Sequence, residues 1–147
     1  MKHKLTHIVS VYGSLLQGRG NHSVIGSYIP EGKAKYLGES TTEAIFSMED
    51  LGSYPGLMKD GNNKIFTEVY ALDDEAFASV RMLEGYNPNG TGLYTEMLIE
   101  TEFGTSTIYI YNYGSYGDEP IKPDENNIVN WNTHYLAKQK DYRSVYG

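Results

Sequence analysis

The sequence predicts a mixed α+β domain built on a small, mostly antiparallel β-sheet or barrel, with helices set among the strands. Three observations predict it. Five segments alternate or are rich in β-forming residues, only two stretches carry helical spacing, and the two kinds do not alternate strictly as in a doubly wound parallel fold. A chain of 147 residues can bury one core and not two, so residues 1–147 read as a single domain.

The first strand is expected over 6–12, where Ile8 lies among β-branched neighbours, and Gly13 breaks it. Segments 40–48, 65–72, 94–102 and 105–113 follow as strands, the last two flanking a tight turn at Phe103 and Gly104. The clearest helix is DDEAFASVRMLEG. Asp73 or Asp74 can cap its start, Phe77, Val80 and Leu83 form its apolar stripe, and Gly85 can end it, leaving Glu84 in the last turn. After Pro120 and Pro123, the residues Ile128, Trp131 and Tyr135 fall at helical spacing and predict a final helix against the sheet. Fourteen tyrosines and 16 glycines beside four phenylalanines fit strands and tight turns, with tyrosine hydroxyls kept in reach of water or partners.

Charge and cysteine content narrow the function classes. Twelve Lys and Arg against 19 Asp and Glu give a net charge of −7, which disfavours nucleic acid and anionic membrane, because phosphate binding needs a basic surface. A small molecule or another protein is the expected partner. The absence of cysteine excludes disulfides and thiolate metal sites and fits a reducing cytoplasm. The opening MKHKLTHIVSVYG has no signal-peptide pattern and no stretch reaches the ~18 apolar residues of a spanning helix, so a cytoplasmic location is expected. Without such a signal, the glycosylation patterns at Asn21 and Asn89 are read as chance.

Two places could carry chemistry. In VYGSLLQGRGNH an apolar strand runs into Tyr12, Gly13, Ser14 and Leu15, and glycines recur at 18 and 20. Consecutive N–H groups beside a bare glycine can cradle an anion or a carbonyl oxygen, or the segment can be an ordinary glycine-rich turn. The Lys-Ser/Thr pair of a phosphate loop is missing, since Arg19 and Gly20 follow Gly18. Glu84 is the second place. A carboxylate at a helix C-terminus faces the negative end of the dipole and, if shielded, titrates upward toward the range of a general base. The alternatives are a solvated surface glutamate, or a pairing with Arg81 that pulls the other way. His3 and His7 have the spacing of a helical metal pair but stand where a strand begins, too few partner ligands lie near them, and His22 and His134 are isolated, so a metal site is not expected. Ser14 lacks the setting of a nucleophile elbow. Tyr109, Tyr111 and Tyr113 alternate on a strand, where such stripes pack a sheet face or line a pocket.

Taken in order, these segments resemble the gamma-glutamylcyclotransferase-like superfamily. The carrying motifs are Tyr12-Gly13-Ser14-Leu15, the turn Gly18-Arg19-Gly20 with Asn21-His22, Tyr54-Pro55-Gly56-Leu57, Thr67-Glu68-Val69-Tyr70 before Asp73-Asp74, Leu83-Glu84-Gly85, and Tyr94 opening the next strand. The resemblance implies a small mixed barrel with flanking helices. It implies that Tyr12, Gly13, Ser14 and Leu15 hold the glutamyl part of a substrate, with Asn21 and Tyr94 in the binding site, and that Glu84 is the acid/base. The implied reaction closes a γ-glutamyl amine, amino acid or peptide to 5-oxoproline and releases the amine, with no cofactor. The sequence departs from the family pattern at Val80-Arg81, where Leu-Asp is frequent, at Thr67 in place of a frequent Gly, and at Thr95-Glu96, where a basic residue is common. These departures bear on the charge of the pocket. A second reading keeps the fold and pocket for a non-catalytic module that binds a small metabolite or a protein.

Overall fold

β1 (His7–Val11) occupies the middle of the main sheet, and its sequence HIVSV explains why: Val9 and Val11 are buried, as a strand with neighbours on both sides requires. The computed structural model describes residues 3–113 and 119–146, with side chains described to residue 140. Around β1 lie β2 (Ala34–Thr41), β4 (Pro55–Leu72), β5 (Tyr94–Thr101) and β6 (Gly104–Tyr111), in the order β2-β4-β1-β6-β5. β3 (Phe46–Asp50) and β7 (Ile128–Val129) both pair with β4, giving seven strands among the described residues. β1 runs antiparallel to β4 and parallel to β6, whereas β5 and β6 form the expected hairpin, with Thr101 opposite Gly104. The mixed α+β architecture is as the sequence predicts. The barrel is not: β2 and β5 end the order as unpaired edges, so the sheet stays open.

The strand expected over 40–48 is two strands. At Thr42 the chain leaves β2, and the Thr42 hydroxyl donates to Glu43 O at 2.8 Å and accepts from Ile65 N at 3.0 Å, fixing the departure before β3 begins. The strand expected over 65–72 is the second half of the 18-residue β4, whose first half pairs with β3. Its middle is polar and exposed, which hides the continuity from any alternation test. A bulge at Phe46 and Ser47 lets β4 approach so closely that a Cβ at Gly61 would overlap the Phe46 backbone.

α2 (Asp74–Leu83) follows β4 directly, capped by Asp73, whose carboxyl accepts from Ala76 N at 2.9 Å. Ala76, Phe77 and Val80 are buried, while Leu83, expected on the same stripe, is exposed. The short α1 (Ser23–Gly26) contributes Ile25 to the core. α3 (Trp131–Tyr146) buries Trp131, but Ile128 lies in β7 and not in the helix, because residues 128–129 pair in parallel with Lys64 and Ile65 of β4.

Candidate active site

Beyond β1 the chain bends at Gly13, where a Cβ would stand 2.7 Å from Cδ and Cγ of Pro55, so only glycine lets this loop lie against the start of β4. The loop then closes on itself. Gly13 O accepts from Leu16 N at 3.0 Å, Ser14 O from Asn21 N at 3.0 Å, and the Asn21 amide donates to Ser14 Oγ at 3.0 Å. His22 Nδ1 lies 3.0 Å from Leu15 O, and since a carbonyl only accepts, that nitrogen carries the proton. Gln17 N donates to Glu68 Oε1 at 2.9 Å. The carbonyls and flanking N–H groups are thus occupied, whereas the N–H groups of Gly13, Ser14 and Leu15 find no hydrogen-bond partner among the described residues.

Glu84 is held by the way α2 stops. Gly85 takes a left-handed φ of +62°, its N–H donates to Met82 O at 3.2 Å, and Tyr86 N donates to Arg81 O at 3.0 Å, the paired bonds of a Schellman cap. Glu84 is the residue at the turning point, with helical φ and ψ. Part of it meets solvent, but its carboxyl is densely enclosed, and this burial pushes its pKa up to about 7. The helix C-terminus acts in the same direction. Arg81 does not oppose the rise. Its Nε and Nη2 donate to the two carboxylate oxygens of Glu96, each at 2.8 Å, and its guanidinium stacks on Phe77 and Tyr86. The two departures from the family pattern at 81 and 96 are therefore each other's partners.

Loop and helix end meet in one cavity. Its walls include Tyr12, Gly13, Ser14, Leu15, Glu84 and Tyr94, which is five of the six expected binding residues together with the expected acid/base. Asn21, the sixth, stands with Ser14, Tyr54, Glu84 and Tyr94 around the mouth. The tyrosines form a wall of protonated phenols: burial raises the pKa of Tyr12, Tyr94 and Tyr109, and the Glu84 carboxylate raises all three further. Their hydroxyl hydrogens are already committed, Tyr12 to Tyr109 O at 2.6 Å, Tyr94 to Pro55 O at 2.6 Å and Tyr109 to Glu96 at 2.7 Å. Tyr12 and Tyr94 therefore shape the cavity more than they offer protons to it. Sequence reasoning did not place Ser10, Tyr54 or Pro55 here; the Tyr-Pro-Gly-Leu segment carried the signal for the last two.

His3 and His7 point to carboxylates at the start of α2, His7 Nε2 lying 2.7 Å from Asp74 Oδ1 and His3 Nδ1 3.7 Å from Asp73 Oδ2. Among the described residues no group of three His, Asp or Glu is arranged to hold a metal ion, and no helix is long and apolar enough to cross a membrane.

Residues 9–133 match the family model described as gamma-glutamyl cyclotransferase, AIG2-like. A Vibrio cholerae protein named provisionally as a gamma-glutamylcyclotransferase is 36% identical over 107 residues, covering 73% of this chain and 84% of that protein. The chain belongs to the gamma-glutamylcyclotransferase family. Another member, the family protein YtfP of Escherichia coli K12, is 31% identical over 103 residues, covering 70% of this chain and 80% of its own. The solution structure of E. coli YtfP aligns with a TM-score of 0.57 at 30% identity, over 78% of this chain and 90% of that one. The crystal structure of an uncharacterised Pyrococcus horikoshii protein aligns with a TM-score of 0.68 over 92% of this chain and 98% of that one, and at 23% identity shows the shared fold.

Proposed function

We propose that this member of the gamma-glutamylcyclotransferase family cyclises a γ-glutamyl compound to 5-oxoproline and releases the amine, with Glu84 as general acid/base. One observation carries the reading: Glu84, whose enclosed carboxyl has its pKa pushed up to about 7, lines the same small cavity as Gly13, Ser14 and Leu15, whose N–H groups are unpartnered among the described residues. The substrate's α-amine is mostly ammonium at neutral pH, so it cannot attack until a base takes a proton. Glu84 removes it. The α-nitrogen then bonds to the γ-carbonyl carbon, and the oxygen, now carrying the negative charge, is met by N–H donors of the loop at residues 13–15. As the carbonyl re-forms, protonated Glu84 gives its proton to the leaving nitrogen, the bond to that nitrogen breaks, and the freed carboxylate takes the second proton from the ring nitrogen and passes it to the released amine. The two hydrogens lost by the α-nitrogen end on the departing amine, and no water, metal or redox partner enters. Because the ring closes within one molecule, holding the glutamyl arm bent supplies much of the acceleration.

The test is a panel of γ-glutamyl amines, amino acids and peptides, with 5-oxoproline measured by mass spectrometry. Wild type is expected to release it, and Glu84→Gln to lose on the order of 10²- to 10⁴-fold in rate. Equal release by both proteins would sink the assignment of Glu84.

A further inference from the structure

A groove on the other side of Ser14 continues the Glu84 cavity. Ser14, Asn21 and Ser53 line both the mouth that contains Glu84 and this groove, whose far wall is made by Arg19 and by Tyr135 and Lys138 of α3. Its two cations are in different states. Lys138 Nζ donates to Asp50 Oδ2 at 2.8 Å and to Gly52 O at 2.9 Å, and His134 shares the same Asp50 oxygen, so the lysine's charge is answered within the fold. Arg19 has no such answer. Its guanidinium lies 4.5 Å over the Tyr135 ring, its Nε is shut off from water without a hydrogen-bond partner, and among the described residues no carboxylate stands within ion-pair distance.

A guanidinium N–H withdrawn from water without an acceptor is unfavourable, and in an acidic protein of net charge −7 counter-charges are plentiful. The Gly18-Arg19-Gly20 turn fixes where this cation stands: Gly18 is left-handed at φ +82°, and the Arg19 backbone is tied by Arg19 N to Leu16 O at 2.9 Å and His22 N to Arg19 O at 3.2 Å. The fork of a stacked arginine matches a carboxylate. A γ-glutamyl molecule with its scissile carbonyl beside Glu84 would lay the part beyond the scissile bond toward this groove.

We propose that the groove is a leaving-group subsite in which Arg19 binds a carboxylate of the departing amine, so that the preferred substrates are γ-glutamyl amino acids or peptides over amines lacking an acid group. This rests on the cyclotransferase reading. The experiment compares γ-glutamyl-alanine with γ-glutamyl-ethylamine, which differ by that carboxylate. In wild type the kcat/KM ratio is expected to favour alanine by tenfold or more, mainly through KM, and Arg19→Gln should bring the ratio down about tenfold or more toward one. Arg19→Lys, which keeps the charge but loses the fork, should give an intermediate ratio and serves if the glutamine variant does not fold. A wild-type ratio near one, or a ratio unaltered by both variants, overturns the proposal. If neither compound nor any other γ-glutamyl compound yields 5-oxoproline, the cyclotransferase reading fails separately. Calorimetric binding of the same two compounds then decides: carboxylate-dependent binding lost in the variants upholds the subsite, and binding that is equal or absent overturns it.

Discussion

Arg81 gives both arms of its guanidinium to Glu96 on β5, at 2.8 Å each, and none to Glu84 three residues along its own helix. The consequence lies with Glu84, whose carboxyl has no counter-ion among the described residues to offset the upward push of its burial. Glu96 is affected in the opposite sense: partial burial pushes its pKa up, but hydrogen bonds from Arg81 and Tyr109 outweigh this and hold it below its ordinary value.

On the proposed mechanism the rate of 5-oxoproline release should therefore rise with pH along a limb centred at about 7, because Glu84 must be ionised to act as the base and burial pushes its pKa up to about 7. Glu96→Gln frees Arg81 to turn toward Glu84, and a cation nearby stabilises the carboxylate, so the limb should move to lower pH by roughly one unit. A pH–rate profile of the two proteins checks both. A wild-type limb near the ordinary glutamate value of 4.5 would contradict the burial of the group.

Stability should run against activity at this residue. The folded pKa of Glu84 is raised, so its contribution is intact below its unfolded value and is lost as pH climbs from about 4.5 through about 7. Glu84→Gln removes that loss. Urea unfolding should find the variant close to wild type at pH 4 and more stable at pH 8, by at most about 3 kcal/mol, because each tenfold change in proton affinity on folding is worth about 1.4 kcal/mol. A variant less stable at pH 8 would mean that the carboxylate has a favourable partner.

Gly13→Ala should damage both fold and site. The added methyl would stand 2.7 Å from the Pro55 ring, so either the loop or the start of β4 must shift. Overpacking of this kind costs about 1–3 kcal/mol, and thermal unfolding should show it. Turnover should fall further than the small loss in folded fraction explains, since the N–H groups of residues 13–15 move with the loop.

Gly85→Ala tests the Schellman cap. A side chain at φ +62° costs roughly 1–2 kcal/mol, and its Cβ would come within 3.3 Å of Leu93. If the helix end unwinds to relieve this, Glu84 gains water and the limb of the pH–rate profile should drop toward lower pH. A variant that is destabilised but keeps its limb at about 7 would show that the cap sets stability alone.

Much of the candidate site's local geometry could be read from the chain because its parts are local. A glycine after an apolar strand and a Leu-Glu-Gly after a capped helix each declare their geometry within a few residues, and Asp73 and Gly85 do cap and end α2. What sequence reasoning missed depends on distant pairing. β2 was largely invisible because it is an edge strand with polar exposed positions and a bulge at Gly38, where a Cβ would stand 2.8 Å from Phe103. The first half of β4 is a strand only because β3 lies beside it. The partner of Arg81 was likewise hidden, since residue 96 lies on another element and nothing within one turn of the helix points to it.

The uninterrupted run of β4 works as a measuring rod. At one end Pro55 crowds Gly13 and accepts the hydroxyl of Tyr94; at the other, Leu72 passes straight into Asp73 and the helix that terminates at Glu84. One inserted residue in the 65–72 stretch would turn the following side chains to the opposite face of the sheet and displace α2 from the cavity it closes. Insertion scanning should accordingly find 65–72 intolerant of any change in length, while the exposed bend at 87–91, outside that rod, accepts added residues with activity preserved.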